Sequence, residues 1–359
     1  MTNQLLRRHR LRSGLLLLVG VAGLVSPAKL RGDEVRLIPG TSVKQAIGGV
    51  VRGQVQSESA TEVVVLVGAN PVSVPADQIV SVRYDGQSAT FPLAEARESA
   101  GQLGEAADLF KKAASEAAGR PYPQQSALFR EARALGDLAL VEPDRIKDAR
   151  DKLTQFLRTY PNSRQLVAAR ESLARLQIHA GDFSGAEATI AALAKSPKAT
   201  ERAAVLRTKV LARQGKYDEA IAELDRLIAS SPKGSERHRA AMLAKSESLA
   251  GLKKFKEAEA LVREVIQSSP AEDAEAQAPA YNTLGDCLRA ANHPKEALMA
   301  YLHTDLLYSK DKAEHPRALH AISTLFRQIK QDAKADEFAL RLKQEYPRSS
   351  WNRASAETQ

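Results

Sequence analysis

The sequence predicts a mainly α protein, a right-handed solenoid of paired helices preceded by a small β-barrel or bent β-sheet. The first observation is a unit that returns along the chain: a turn, an aromatic residue, a helical stretch, then Pro. It appears as "GDFSGAEATIAALAKSP" (Gly181–Pro197), "GKYDEAIAELDRLIASSP" (Gly215–Pro232) and "KKFKEAEALVREVIQSSP" (Lys253–Pro270). Ala186, Ala220 and Ala258, which follow the aromatic in each copy, lie 34 and 38 residues apart, the spacing of a helical-repeat array. The second is that residues 33–85 are rich in β-branched residues and turn signals, unlike anything after them. The third is composition: 43% hydrophobic but only 5% aromatic, which suits closely crossed helices better than a large β core.

Residues 1–28 read as an export signal. Arg7, Arg8, Arg10 and Arg12 precede an apolar run from Leu15 to Val25, and no acid occurs before Asp33. Ser26-Pro27-Ala28 offers small residues for cleavage after Ala28. The run is far short of the roughly 20 residues that span a bilayer. The alternative is an uncleaved anchor, the one case in which membrane association is expected. The Arg-Arg pair touches on the twin-arginine route, but the residues after it fit that pattern poorly. Cleavage lowers the formal charge from +9 to +5. That weakens a nucleic-acid reading, which wants its Lys and Arg concentrated in the mature body. Cys287 is the single cysteine, so no internal disulfide can form. In "TLGDCLRA" it is expected to pack as a small apolar residue.

Residues 33–85 carry strand-like runs: "EVRLI" (Glu34–Ile38), "GVVRGQVQSE" (Gly49–Glu58), "EVVVLV" (Glu62–Val67) and "VSVPADQIVSVRYD" (Val72–Asp85). Pro39-Gly40-Thr41, Ser59-Ala60-Thr61 and Gly68-Ala69-Asn70-Pro71 supply turn chemistry between them. Val35/Leu37 and Val51/Gly53/Val55 alternate as half-buried strands do. Their order resembles the SH3-like or Sm-like small barrels. A unit this small has a limited core, so it is expected to dock on the first helices.

From Phe91 the strand signals stop, and residues 91–350 are expected to be helical, with a first repeat at 92–118 and a polar tail at 351–359. The turn and aromatic Gly181/Phe183 and Gly215/Tyr217 recur. So do the second-helix alanines Ala106, Ala149, Ala186, Ala220, Ala258, Ala297 and Ala335, and the terminal prolines Pro161, Pro197, Pro232, Pro270 and Pro347. Together with Tyr281, Leu284 and Gly285 on a first helix, these residues resemble the tetratricopeptide family. The alanine intervals of 43, 37, 34, 38, 39 and 38 residues mostly exceed that family's spacing, so several loops must be longer. Further departures are Lys253 where Gly is usual, and Pro294 and Asp332 where the aromatic belongs. "FLRTYPNS" (Phe156–Ser163) and "RLKQEYPRSS" (Arg341–Ser350) resemble a Tyr-Pro-x-Ser junction common in bacterial envelope repeat proteins. Tyr is expected to pack over the helix end, Pro to stop it, and Ser163 or Ser349 to cap the next helix or turn. The junction implies a compartment, the periplasm or cell envelope, and no pathway.

Catalytic constellations are hard to find. Seven histidines are scattered, and none forms the i, i+4 pair with an intervening Glu of a zinc helix. His315 and His320 have poor ligand spacing. "GQLGEA" (Gly101–Ala106) lies between two helices rather than between strand and helix, so a repeat turn explains it better than a nucleotide site. No cofactor and no metal is expected, and the chain reads as no enzyme.

The groove of the array is the better candidate. The resemblance implies that first helices line the inner face, and the alanine frame then places Arg175, His179, Arg202, Lys209, Arg213, Arg289, Arg317, His320 and Arg327 there. The same frame adds the acids Glu171, Glu247 and Asp286, and Asn282. Seven full positive charges against three negative ones fit an acidic peptide or a C-terminal carboxylate held by Arg. Solvated helix charges are the bland alternative. The expected function is an exported adaptor or scaffold binding a protein or peptide segment, without nucleic acid. The runners-up are an envelope spacer whose β domain makes the contacts, and an enzyme in the β domain. Trp351 is expected to cap the array.

Overall fold

The computed structural model describes residues 32–352, apart from Ser42, Val141, Pro197, Lys312, Arg348 and Ser350. Residues 1–28, expected to be an export signal, Pro197 and most of the polar tail therefore lie outside the described residues. Five strands open the chain: β1 (Asp33–Leu37), β2 (Val50–Glu58), β3 (Glu62–Val67), β4 (Asn70–Pro75) and β5 (Ile79–Arg83). All pair antiparallel in the order β4-β3-β2-β1-β5. β4 and β5 end that order, so the unit is a bent sheet rather than a closed barrel.

The bend has a local cause. β2 pairs with β1 through Val50–Gly53 and with β3 through its second half. At the change of partner, a Cβ on Gly53 would stand 2.2 Å from the Leu66 carbonyl oxygen, so only glycine allows this approach. The register slips between Val55 and Ser57, adding the extra twist of a bulge. The inner face is almost all valine, with Val35, Val51, Val63, Val65 and Val74 fully buried. The Asp33 carboxylate closes one end, accepting from Val55 N and Asp85 N at 2.6 Å each.

Helices follow from Thr90 in consecutive pairs: α1 (Thr90–Ser99) and α2 (Leu103–Glu116), α3 (Pro121–Ala139) and α4 (Ile146–Thr159), α5 (Leu166–His179) and α6 (Phe183–Ala194), α7 (Thr200–Arg213) and α8 (Tyr217–Ser230). The array continues with α9 (Glu236–Gly251) and α10 (Phe255–Ser268), α11 (Ala274–Ala290) and α12 (Pro294–Leu307), α13 (His315–Gln328) and α14 (Asp332–Glu345). Each second helix carries one of the alanines singled out in the sequence. All seven, from Ala106 to Ala335, are 0% exposed, because a methyl is the largest group that fits where the two helices cross. Gly101, Gly181 and Gly215 take a left-handed φ of 73 to 75° at the turn between paired helices. Lys253, Asn292 and Lys330 adopt the same geometry at φ 60 to 63°, so the turn is kept where glycine is not. Ser231 and Ser269, each before the terminal Pro, are held extended by it and donate back to Leu227 O (2.6 Å) and Val265 O (2.8 Å).

α3 packs on α5, α5 on α7, α9 on α11 and α11 on α13. The odd-numbered helices thus form the inner wall of a right-handed α-solenoid, and the even-numbered ones the outer wall. The array turns far enough that Leu103, Glu105 and Arg145 of the first repeats face Pro347, Ser349 and Asn352 across one cavity. Among the described residues no helix is long and apolar enough to cross a membrane.

The sheet is fastened to the array by a buried polar cluster that single-segment patterns do not reveal. Glu58 at the end of β2 accepts from the Tyr84 hydroxyl, and the Arg164 guanidinium lies 3.3 Å from its other oxygen. Gln125 of α3 reaches the same oxygen at 3.4 Å and bonds Gln165 at 3.0 Å. Tyr122 stacks beside Tyr84, with centroids 6.5 Å apart, and donates to Gln56 O. Arg164 follows Ser163 of the first Tyr-Pro-x-Ser junction, where Ser163 Oγ accepts from Gln165 N at 3.0 Å. Ser349 accepts likewise from Trp351 N at 3.3 Å. The serine thus shapes the turn in both junctions.

Removing Arg164 leaves a buried carboxylate without its counter-charge, so Arg164→Ala should cost roughly 3 kcal/mol in urea unfolding at neutral pH. Burial, opposed by Arg164 and Tyr84, raises the Glu58 carboxyl above its usual range. Its contribution is therefore full below that range and is lost as pH rises through the raised value. Unfolding curves from about pH 4 to about pH 8 should shift in favour of Glu58→Gln relative to the parent as pH rises. A second test concerns Gly285 in α11, where a Cβ would lie 2.6 Å from the ring of the fully buried Tyr301. Alanine gains about 1 kcal/mol of helix propensity, but displacing that ring costs about 1–3 kcal/mol, and Gly285→Ala should lower the thermal midpoint.

Candidate functional site

The inner wall carries a stripe of charge, one or two residues per odd-numbered helix from α3 onward. At its start, Arg133 and Asp137 of α3, Glu171 and Arg175 of α5 and Arg202 of α7 line a cavity of about 370 Å³. Arg202 is 3.4 Å from Glu171, and Arg133 is 3.8 Å from Asp137. Arg175 makes no ion pair among the described residues, yet its field acts on both Asp137 and Lys209. Burial raises the Asp137 pKa, against the pull of Arg175 and Arg133.

Lys209 on α7 continues the stripe. Burial first, and Arg175 second, lower its pKa, while Glu247 on α9 works the other way. Burial raises the Glu247 pKa in turn, opposed chiefly by Arg317. The surrounding curved wall thus desolvates groups whose own surfaces stay open.

The far end is an acidic cluster organised by Arg317 of α13. This guanidinium donates to Asp286 of α11, is 3.2 Å from Glu314 and 3.8 Å from Glu247. The Tyr301 hydroxyl adds a bond of 2.6 Å to Asp286, and Arg289 lies 3.5 Å from it. Glu247, Asp286, Arg289, Glu314 and Arg317 line, with His320 and Trp351, a cavity of about 610 Å³. Burial and the nearby Arg289 lower the His320 pKa, and its ring is 5.2 Å from Trp351. Trp351 was expected to end the array; it instead lies along the groove, and the polar outer surface of α14, which buries only Ala335 and Leu342, covers the last repeat.

Two of the sequence-derived residues, Asn282 and Arg327, lie elsewhere. Asn282 is 0% exposed, and its amide donates to the Glu314 carbonyl (2.9 Å) and carboxylate (2.8 Å), so it fixes the start of α13 from beneath. Arg327 turns to Asp336 of α14 at 2.6 Å. His179 and Arg213 are exposed in the last turns of α5 and α7, where a cation suits the helix dipole. Arg133, Asp137 and Glu314 were missed: the first two precede the regular part of the alanine frame, and Glu314 sits just outside its helix. Including them, the basic excess is confined to the α3–α7 half.

Residues 207–273 match the tetratricopeptide repeat family. No curated protein matches the chain. A tetratricopeptide repeat protein from Parabacteroides merdae is similar in structure at 12% identity and a TM-score of 0.50, over 74% of this chain and 97% of that one. RapI is similar at 9% identity and TM-score 0.43, over 75% and 78%. Pseudomonas aeruginosa pilF is similar at 17% and 0.38, over 66% and 99%. The family match lies within the helical array, and the first of these likenesses shows that the array has the tetratricopeptide-type fold.

Arg317 holds three carboxylates together, so Arg317→Ala should destabilise the α9–α14 end by about 1–3 kcal/mol at neutral pH. Glu247 loses the charge that chiefly opposes its burial, and the penalty should shrink as pH falls through the carboxylate range. Urea unfolding at both ends of that range checks this.

Proposed function

We propose that the protein is an exported protein–protein interaction adaptor whose groove holds an extended segment of a partner, and that its work is binding rather than catalysis. The observation that carries this is the pair Arg175 and Lys209. They stand exposed on adjacent inner helices, each lacking an ion pair among the described residues, and Arg175 adds to burial in depressing the Lys209 ammonium. Such juxtaposition opposes folding slightly, and a bound anionic group offsets it. Tetratricopeptide-type repeats supply the curved wall for such a segment. The β sheet, fastened through Glu58 and Arg164, serves as the cap of the first repeat. That favours the adaptor over a spacer with a separately acting β domain. Residues 1–28 direct the chain to the periplasm or cell envelope.

In-cell crosslinking of the tagged full-length protein, with mass spectrometry of partners and of its own N-terminus, tests this reading. Stoichiometric partners should be lost from the Arg175→Glu/Lys209→Glu variant, and the mature chain should begin at Lys29. Partners that survive the charge reversal would move the function to the sheet or to a spacer role.

A further inference from the structure

The inner stripe does not carry one sign of charge. Arg175 (α5) and Lys209 (α7) are followed by Glu247 (α9) and Asp286 (α11), in the order plus, plus, minus, minus along adjacent inner helices. The imbalance extends beyond these four. At the α3–α7 end, Arg133, Arg175, Arg202 and Lys209 stand with Asp137 and Glu171 among the described residues, and Glu247 acts on Lys209 from α9. At the α9–α13 end, Glu247, Asp286 and Glu314 face only Arg289 and Arg317.

The internal pairing uses these charges unequally. Asp286 is bonded by Arg317 and Tyr301 and approached by Arg289, and Glu314 by Asn282 and Arg317. Among the described residues Glu247 has one ion-pair contact, the distant one of 3.8 Å to Arg317, it feels Lys209 from α7, and its side chain stays 55% exposed. The carboxylate left over at the acidic end is therefore Glu247, as Arg175 and Lys209 are the cations left over at the other.

We infer that the partner segment carries both signs of charge: acidic side chains set against Arg175 and Lys209, and a basic side chain set against Glu247. This rests on the groove reading of the function and narrows it. A purely acidic segment would lay carboxylates along the α9–α13 wall, where like charges repel. Neighbouring inner helices lie about 8–10 Å apart, and an extended chain advances about 3.3 Å per residue, so the groups set against Arg175 and Glu247, two helix spacings apart, stand about five or six residues apart.

The test uses the full-length protein and three fluorescein-labelled synthetic peptides of equal length. One carries a Glu pair and a Lys pair about six residues apart, one the Glu pair alone, and one the same residues with signs alternating. The separated-pair peptide should bind about fivefold more tightly than either other, an advantage that salt weakens. Glu247→Gln should abolish that advantage while leaving the Glu-only peptide unchanged, and Arg175→Glu/Lys209→Glu should remove binding of both. These three side chains are exposed, and far-ultraviolet circular dichroism checks that the variants keep the fold. Equal binding of the Glu-only peptide, or an unchanged advantage in Glu247→Gln, would overturn the inference and leave the groove reading standing. Absence of binding by all three peptides would also overturn it, and the crosslinking experiment then decides the groove reading by itself.

Discussion

Two helices that cross within reach of a methyl group must carry something no larger than that methyl at the crossing, and this structure repeats that condition once per helix pair. The alanines from Ala106 to Ala335 meet it, and the ring of Tyr301 over Gly285 meets it from the other helix. Close crossing draws the inner helices against one another, α5 on α7 and α11 on α13. The outer helices are then splayed, and a stack of such pairs can only curve. The concave wall and everything displayed on it follow from the size of those residues.

The two ends of such a stack are its weak points, because an end repeat lacks a neighbour to cover it. The sheet solves this at the first end with polar rather than apolar chemistry. Glu58, Tyr84, Gln125 and Arg164 come from four separate segments and meet one another out of water. A buried cluster of this kind adds little net stability over apolar packing, but it is intolerant of a wrong partner. It therefore fixes where the sheet sits more firmly than the valine core could. At the other end, α14 buries only two residues and leaves a polar surface outward.

What was legible in the sequence is what repeats. Periodic alanines, the turn and the terminal prolines give each helix pair independently, since local crossing geometry imposes the same residue at the same place every time. The strands were legible for the same reason, through alternation. The groove was legible only as far as the frame was regular: Arg175, Lys209, Glu247, Asp286 and Arg317 fell on the wall. Arg133 and Asp137 did not enter, because the 43-residue step between Ala106 and Ala149 breaks the frame beside them. Asn282 and Arg327 entered wrongly, since a helical position gives a direction and not the length or the partner of a side chain. Glu58 with Arg164 is a contact across more than a hundred positions, and no local pattern encodes it.

Curvature also changes what the charges can do. On a straight helix, Lys209 and Glu247 would be ordinary solvated side chains, worth little to any partner. Here the walls on either side displace water from them, and burial shifts both groups toward their neutral forms. Part of the desolvation that binding requires has thus already been borne by folding, in which the apolar contacts between helices supply the free energy. A segment arriving with complementary charge meets groups that are partly desolvated by the wall yet open to it, and held on rigid helices. Its pairing there is stronger than the same contact on an open surface. The small residues at the helix crossings are in this sense part of the binding site, although none of them touches the ligand.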